Sequence, residues 1–239
     1  MSDRGLFFSI EGFCEGVGKT TLTKGLQKLF IGKQFYFTRE IGGIGSPVAE
    51  AIRQVALRPD LPPMDPITEE LLVRATRMAH MHDVVIPKLI DGINVISDRC
   101  MLSSMAYQGV RGGIGVAKIY QDHVTSFQRL LRNLGLDGTP LLQNAAPLPD
   151  YTYILYLSVE EARERMHQGR AQKDMNRIDL ESADSHQLIH RGYEEAIKYL
   201  QNTVGIDHDR LIFIDARKPK KEVLHEVYTD ILTILEFRE

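Results

Sequence analysis

A run of glycines followed by lysine and threonine is the part of the chain best suited to chemistry. The residues Glu15, Gly16, Val17, Gly18, Lys19, Thr20 and Thr21 follow an apolar stretch and open an amphipathic pattern. Successive backbone N–H groups and the positive end of a helix dipole favour a bound polyphosphate, which Lys19 can reach, and the Thr20 hydroxyl can ligate Mg²⁺. We therefore predict a phosphate-binding loop here.

This loop departs from the strict G-x-x-x-x-G-K-[ST] pattern. The position five before Gly18 is Phe13, and the nearest glycine, Gly12, lies one residue too early. Because a strand precedes the segment and a helix follows it, as the motif requires, we interpret the difference as a bulge of one residue.

Apolar runs and helical periodicity alternate along the rest of the chain, which predicts an α/β fold. Continuous rather than alternating apolar runs favour strands that are buried on both faces of a parallel sheet. The predicted strands are Leu6–Ile10, Gln34–Thr38, Ile93–Ser97, Tyr153–Leu157 and Leu211–Ile214. The first predicted helix begins at Gly18. The other predicted helices cover Pro47–Leu57, Thr68–Leu89, Met101–Gln108, Ile119–Leu134, Val159–His167, Glu181–Thr203 and Lys221–Phe237.

These elements predict a doubly wound, five-stranded parallel sheet flanked by helices, of the P-loop kinase type. Right-handed crossovers place the carboxyl ends of the first and third strands on one edge, where ligands bind in such sheets. We therefore expect the phosphate loop, Arg39, Asp98 and Arg99 to converge. We expect one domain over residues 1–239, with a lid at about 163–178.

Composition limits the partners and the compartment. A net charge of -3 gives no general attraction to nucleic acid or to an anionic membrane, so neither is an expected partner. No apolar stretch approaches the roughly 20 residues that span a bilayer. Two cysteines, Cys14 and Cys100, are too few for a disulfide framework and suit a reducing compartment. We expect a soluble, cytoplasmic protein.

A phosphate loop occurs in ATPases, GTPases and kinases, and the arginines of this chain help to decide between these three classes. Arg39, Arg53, Arg77 and Arg99 lie near predicted strand ends or on facing helices, and guanidinium groups bind phosphate in bidentate fashion. So many cations indicate a second anion. No asparagine is followed by lysine, so the N-K-x-D guanine reader of GTPases is missing. The basic stretch 163–177 can close over a nucleotide.

Eight short blocks are distributed over nearly the whole chain. They are EGFCEGVGKTT (11–21), REIGG (39–43), SPVAEAIR (46–53), LLVRATR (71–77), ISDR (96–99), SSMAYQG (103–109), NRID (176–179) and FIDA (213–216). In their order and composition these blocks resemble the thymidylate kinase family, and the string DRxxxSSxAYQG is the most specific of them.

The resemblance implies ATP-dependent phosphorylation of dTMP to dTDP with Mg²⁺, in dTTP synthesis, by a homodimer that associates through helices flanking the third strand. It also implies a role for each matching residue. Glu15 contacts the sugar 3′-hydroxyl or the metal shell, Arg39 and Arg99 hold the monophosphate, and Asp98 lies near Mg²⁺ and the attacking phosphate. Arg77, Ser104 and Gln108 read thymine, Arg53 lies against the base, and Tyr107 crowds the 2′ position.

The lid carries the catalytic arginine in the branch of the family that has an acidic residue in the phosphate loop, as Glu15 is here. The resemblance therefore implies that Arg165, Arg170 or Arg177 supplies a cation to the transferring phosphoryl group. Two other hypotheses remain open. Val73 occupies the position of the Phe that stacks on thymine in the family, which favours a monophosphate kinase of altered base preference. The bulge and the altered lid favour a nucleotide-binding protein without turnover.

Overall fold

The computed structural model describes residues 4–138, 146–169 and 182–237. Within them, five parallel strands form one sheet in the order β2-β3-β1-β4-β5. The predicted α/β fold with a five-stranded parallel sheet is confirmed. The strands are β1 (Phe7–Gly12), β2 (Phe35–Arg39), β3 (Asn94–Asp98), β4 (Tyr151–Tyr156) and β5 (Leu211–Asp215).

Helices flank the sheet and bury it. Every residue of β1 is buried, which explains why this strand is a continuous apolar run rather than an alternating one. The helices are α1 (Lys19–Leu29), α2 (Pro47–Ala56), α3 (Pro66–His80), α4 (Ile86–Ile90), α5 (Met101–Ser104), α6 (Val116–Asn133), α7 (Val159–Gly169), α8 (Ala183–Tyr199) and α9 (Lys220–Glu236).

Local signals explain where the boundaries differ from the prediction. Helix α3 begins at Pro66 rather than at Thr68, because the Asp65 carboxylate accepts a hydrogen bond from the Ile67 N–H at 2.7 Å and caps the helix. The predicted helix Thr68–Leu89 is interrupted by a π-helical turn at Met81–Val85. Two further π-helical segments, Met105–Arg111 and Leu200–Val204, continue α5 and α8.

Among the described residues, none of the helices combines the length and the apolar character needed to cross a membrane.

A buried ion pair closes the amino-terminal end of the sheet. Asp150, just before β4, accepts hydrogen bonds from Arg4 at 2.6 and 2.8 Å and from the Phe7 N–H at 2.8 Å. Farther along β4, the hydroxyl of Tyr153 donates to Asp230 of α9 at 2.7 Å. These contacts join β4 to β1 and α9 at a distance from the carboxyl ends of the strands.

A second buried ion pair fixes the opposite, carboxyl-terminal end of β2. Glu40, directly after β2, accepts hydrogen bonds from Arg77 of α3 at 2.8 and 2.6 Å and contacts His80 at 3.1 Å. Arg77 also donates to Nδ1 of His123 on α6 at 2.8 Å, so the neutral imidazole carries its proton on Nε2. The network therefore ties β2, α3 and α6 together.

We predict that Glu40→Gln lowers the free energy of unfolding and makes it less dependent on pH in the acid range. Burial by itself would raise the pKa of Glu40, but the Arg77 charge and the His80 hydrogen bond lower it from 4.5 to about 2. A lowered folded-state pKa contributes stability above the unfolded pKa, and this contribution is lost as pH falls toward 2. The variant should lose about 3–5 kcal/mol at neutral pH, because Arg77 stays buried without its partner.

Urea unfolding measured from pH 7 to pH 2 checks this expectation. Asp60→Asn is the matched control, because it neutralises a carboxylate in an exposed pair with Arg58 and should change the free energy of unfolding by less than about 1 kcal/mol. An acid dependence as steep in Glu40→Gln as in the unmodified protein would contradict the assignment.

Candidate active site

A cavity of about 310 Å³ lies at the carboxyl ends of β1, β2 and β3. The strand order brings the ends of these neighbouring strands together, and the phosphate loop and the facing helices complete the walls. Sequence-predicted residues that line the cavity are Glu15, Lys19, Thr20, Arg39, Arg53, Arg77, Asp98, Arg99, Ser104, Tyr107 and Gln108.

The phosphate loop joins β1 to α1 through two positions that require glycine. A Cβ on Gly12 would lie 2.4 Å from Cγ2 of Val17, and Gly18 has a φ of 105° as it caps α1. Both positions allow the tight turn between β1 and α1, and the first two residues of α1, Lys19 and Thr20, line the cavity.

Phe13 accounts for the extra residue in the loop. Its ring stacks on Tyr193 of α8 with centroids 5.6 Å apart and meets His190 edge to face at 4.8 Å. The bulge thus directs its side chain into the core against α8. Burial raises the pKa of the neighbouring Cys14 thiol to about 12, so this thiol stays protonated and inert.

Lys19, Thr20 and Asp98 form the part of the site that suits a polyphosphate with a cation. Nζ of Lys19 donates to the Cys14 carbonyl at 3.3 Å and lies 3.5 Å from Glu15. The Thr20 hydroxyl donates to Asp98 at 3.3 Å. No group of three or more His, Cys, Asp or Glu side chains that could hold a metal occurs among the described residues. Thr20 and Asp98 therefore offer only a partial oxygen set.

Arg39 and Arg53 give one wall of the cavity a concentration of positive charge. Arg39 donates to Glu50 at 2.7 Å, and its Nε is buried with no hydrogen-bond partner among the described residues. Arg53 donates to the carbonyl of Ile41. Burial and the nearby Arg39 charge lower the pKa of Arg53. An anion between the two guanidinium groups would relieve their repulsion and satisfy the buried N–H.

Arg99 adopts a left-handed backbone conformation, with a φ of 73°. One guanidinium nitrogen donates to the hydroxyls of Ser103 and Tyr193, each at 3.0 Å, and the other pairs with Glu15. The guanidinium lies 5.2 Å from the centroid of the Tyr107 ring, whose hydroxyl donates to Glu15 at 3.0 Å. The guanidinium of Arg99 is thus held on several sides by groups of the protein itself.

Glu11 is a residue that the sequence reasoning missed. Its side chain is fully buried at the end of β1, beneath Arg99, and accepts hydrogen bonds from Ser103, Tyr193 and the Cys100 N–H. Burial raises the pKa of Glu11, while the Arg99 charge and these donors oppose the rise. A carboxylate that is buried with an apolar strand needs hydrogen-bond donors around it. The position of Glu11 at the end of an apolar run was therefore the sequence signal that could have identified it.

The deep end of the cavity carries the residues that the resemblance assigned to base recognition. Ser104, Gln108 and Val73 are all buried there, and Nε2 of Gln108 donates to Glu69 at 2.7 Å. Among the described residues that line the cavity, Tyr107 is the only aromatic one. Arg77 reaches the same wall but is bound by Glu40 and His123.

The predicted lid arginines fall outside this cavity as far as the structure describes them. Arg165 of α7 is exposed and donates to the carbonyl of Ala216, directly after β5, at 2.8 Å. Arg170 and Arg177 lie outside the described residues.

Comparison with known proteins agrees with the architecture of this site. The family model for thymidylate kinase matches residues 10–125, which include the phosphate loop and the DR and SSMAYQG blocks. The thymidylate kinase of Geobacillus thermodenitrificans is 32% identical over 234 residues, covering 97% of this chain and 92% of its own.

Two further relatives have the same name. The thymidylate kinase of Bacillus pumilus is 34% identical and covers 93% of each chain, and that of Mesoplasma florum is 35% identical and covers 97% of each. Identity at this level over nearly the full length of both chains goes beyond a shared fold. The chain therefore belongs to the thymidylate kinase family.

Proposed function

We propose that the protein transfers the γ-phosphoryl group of ATP to dTMP, giving ADP and dTDP, with Mg²⁺. One observation supports this above all: a single cavity contains a phosphate loop and, facing it, separate arginines that are fixed by carboxylates. A hydrolase needs one polyphosphate site, whereas a kinase must hold two anions and align them.

The loop from Glu15 to Thr21 is the donor side in this proposal. Its N–H groups and the start of α1 would cradle the ATP phosphates, with Lys19 on their outer oxygens. Among the described residues, buried Lys19 has a carbonyl and a partly exposed carboxylate as its partners. Its ammonium would therefore gain strong charge-assisted hydrogen bonds from a phosphate.

The arginine wall is the acceptor side. Arg39 and Arg99 would hold the dTMP phosphate, and Arg53 would lie against the base. Arg77, Ser104 and Gln108 would read thymine from the deep end. Glu15 would accept from the 3′-hydroxyl, and Tyr107 would crowd the 2′ position and so favour deoxyribose.

Thr20 and Asp98 would hold the metal. A hydroxyl and a single carboxylate suit Mg²⁺, which binds through one or two carboxylates together with substrate phosphates and water. When bound, Mg²⁺ neutralises charge on the phosphates during transfer.

The chain's own residues need to supply alignment and positive charge rather than a base, since the acceptor phosphate is already an anion at neutral pH. Arg99 and Lys19 supply fixed cations on either side of the transfer. The lid, at about 163–178, would bring Arg165, Arg170 or Arg177 over the donor. Arg165 donates to the carbonyl of Ala216 outside the cavity, so it would have to move to reach the donor.

A kinase of altered base preference is the second candidate, and the buried Val73 favours it. Where a Phe would provide a stacking surface, the cavity has a smaller aliphatic side chain and no substitute ring besides Tyr107 among its described residues. A nucleotide-binding protein without turnover is less well supported, since Lys19, Thr20, Asp98 and Arg99 all line the cavity.

We also propose that the chain acts as one domain, as a homodimer and in the cytoplasm. A single apolar cluster extends from Leu6 to Ile231, which supports one domain. Exposed apolar side chains on the adjacent helices α2 and α3 support self-association; they are Val48, Val55, Ile67 and Leu71.

We predict that turnover is largest with dTMP and is lost in Lys19→Ala. An ADP-release assay with ATP, Mg²⁺ and a panel of dTMP, dUMP, dCMP, dGMP and UMP measures it. The variant should lose kcat by about 100-fold or more, because a fixed cation is removed from the developing charge. Lys24→Ala, an exposed lysine of the same helix, is the control and should retain full activity.

The panel separates the three candidates. Turnover mainly on another monophosphate would overturn dTMP as substrate but retain the kinase. Nucleotide binding without turnover on any member would overturn the kinase itself.

We predict that Val73→Phe lowers KM for dTMP by about fivefold, because a ring stacked on thymine adds on the order of 1 kcal/mol. The same assay checks this, with KM for ATP as the internal control that should not change. An unchanged or higher KM for dTMP would mean that the base does not lie against residue 73.

We predict that the protein sediments with twice its chain mass of 27.1 kDa. Leu71→Glu should shift it toward the monomer, because a charge would replace an exposed apolar side chain at the interface. Leu188→Glu on α8, a similarly exposed leucine, is the matched control. Sedimentation as a monomer by the unmodified protein would exclude the dimer.

A further inference from the structure

Two hydroxyls, of Ser103 and Tyr193, link the buried Glu11 carboxylate to the guanidinium of Arg99. Oε2 of Glu11 accepts from the Ser103 hydroxyl at 2.6 Å and from the Tyr193 hydroxyl at 3.0 Å, and Oε1 accepts from the Cys100 N–H at 2.7 Å. Glu11 and Tyr193 do not line the cavity. Glu11 can therefore influence a ligand only through other residues.

The two hydroxyls give this network a single direction. The Ser103 and Tyr193 oxygens lie 2.7 Å apart, and both accept from Nη1 of Arg99 at 3.0 Å. Arg99 offers only donors and the Glu11 carboxylate only acceptors, so the single proton of each hydroxyl points away from Arg99, toward Glu11 or toward the other hydroxyl. The lone pairs of both oxygens are then left facing Arg99. A carboxylate at the base of the network thus fixes which way the guanidinium is held.

The same carboxylate also supports the backbone of Arg99. This residue has a φ of 73°, a conformation that is uncommon outside glycine. The N–H of Arg99 itself donates to the carbonyl of Ile10 at 2.9 Å, and the next N–H along the chain, of Cys100, donates to the Glu11 carboxylate. Residues of β1 therefore hold the chain on both sides of the strained position. Side chain and backbone of Arg99 are oriented from one strand.

We propose that Glu11 is a positioning residue for phosphoryl transfer, which orients Arg99 toward the acceptor phosphate through Ser103 and Tyr193. The inference rests on the proposed function for the role of Arg99. Ser103 and Tyr193 use one guanidinium nitrogen and Glu15 pairs with the other, so the remaining N–H groups have a fixed direction before the substrate arrives.

Glu11→Gln tests the proposal with little change of shape. Whichever way the amide turns, its NH₂ group faces either the Cys100 N–H or the two hydroxyls, so Gln at position 11 loses either the backbone contact or the acceptor that directs the hydroxyls. We expect KM for dTMP to rise about tenfold and kcat/KM to fall about 100-fold, while KM for ATP stays within about twofold. Asp150→Asn, which neutralises a buried carboxylate at the other end of the sheet, should leave both KM values unchanged.

Tyr193→Phe is the second variant, in case Glu11→Gln folds poorly. It keeps the ring that stacks on Phe13 and removes only the hydroxyl. We expect KM for dTMP to rise about threefold to tenfold, since one of the two acceptors remains. Tyr153→Phe is its control, because it removes a buried hydroxyl that donates to Asp230 far from the cavity.

A double-mutant cycle separates positioning from general stabilisation. In an Arg99→Ala background, Glu11→Gln should lower kcat/KM by less than about threefold, because the residue through which it acts is gone. An equal rise of KM for ATP and dTMP, or an unchanged effect of Glu11→Gln without Arg99, would overturn the proposal.

A readout without turnover keeps this test distinct from that of the proposed function. NMR of protein with ¹⁵N-labelled arginine should show separate Nη signals for Arg99, because its guanidinium cannot rotate freely, and these should merge in Glu11→Gln. Separate signals in both proteins would overturn the positioning role. If the unmodified protein fails to phosphorylate dTMP while the Nη signals respond as expected, the proposed function fails and the orientation of Arg99 by Glu11 stands.

Discussion

The site depends on neutralising guanidinium groups that are removed from water. Arg77 and Arg99 are bound by the carboxylates of Glu40, which follows β2, and Glu15, which follows β1. A buried charge without a partner would cost several kcal/mol, so each arginine is accompanied by an acid. The pairs fix the arginines before a ligand binds, and a preorganised cation needs no rearrangement during phosphoryl transfer.

Arg39 and Arg53 differ, because positive charge dominates their surroundings. Glu50 pairs with Arg39, but the Arg39 charge and burial still lower the pKa of Arg53. In the cavity, the charges of Arg77 and Arg99 are thus neutralised by carboxylates, whereas the wall formed by Arg39 and Arg53 has an excess of positive charge. That distribution favours a doubly charged phosphate at the wall and a neutral base beyond it.

The extra residue of the phosphate loop is linked to Arg99 through one aromatic side chain. Phe13 packs on Tyr193, and the Tyr193 hydroxyl contacts Arg99. Helix α8, which carries Tyr193, follows the segment predicted to be the lid. The phosphate loop, Arg99 and helix α8 therefore share one buried aromatic residue, Tyr193.

Local patterns in the sequence determined the elements and the parallel arrangement of the strands. Continuous apolar runs marked strands that are covered on both faces, the Ser46-Pro47 cap marked the start of α2, and the glycines before Lys19 marked the loop. Arg39, Asp98 and Arg99 were assigned to one edge because parallel strands end together, and that edge is where the cavity lies. These features depend on neighbours within a few residues or on the handedness of crossovers.

Tertiary structure alone decided which partners the charged residues have. Glu11 and Tyr193 are 182 residues apart, and Glu40 and His123 meet only through Arg77. The side chain of Phe13 could have entered the cavity or the core, and the position of α8 decided for the core. The physical reason is that burial and hydrogen-bond pairing are set by contacts between distant segments, and a single sequence read along its length carries no record of them.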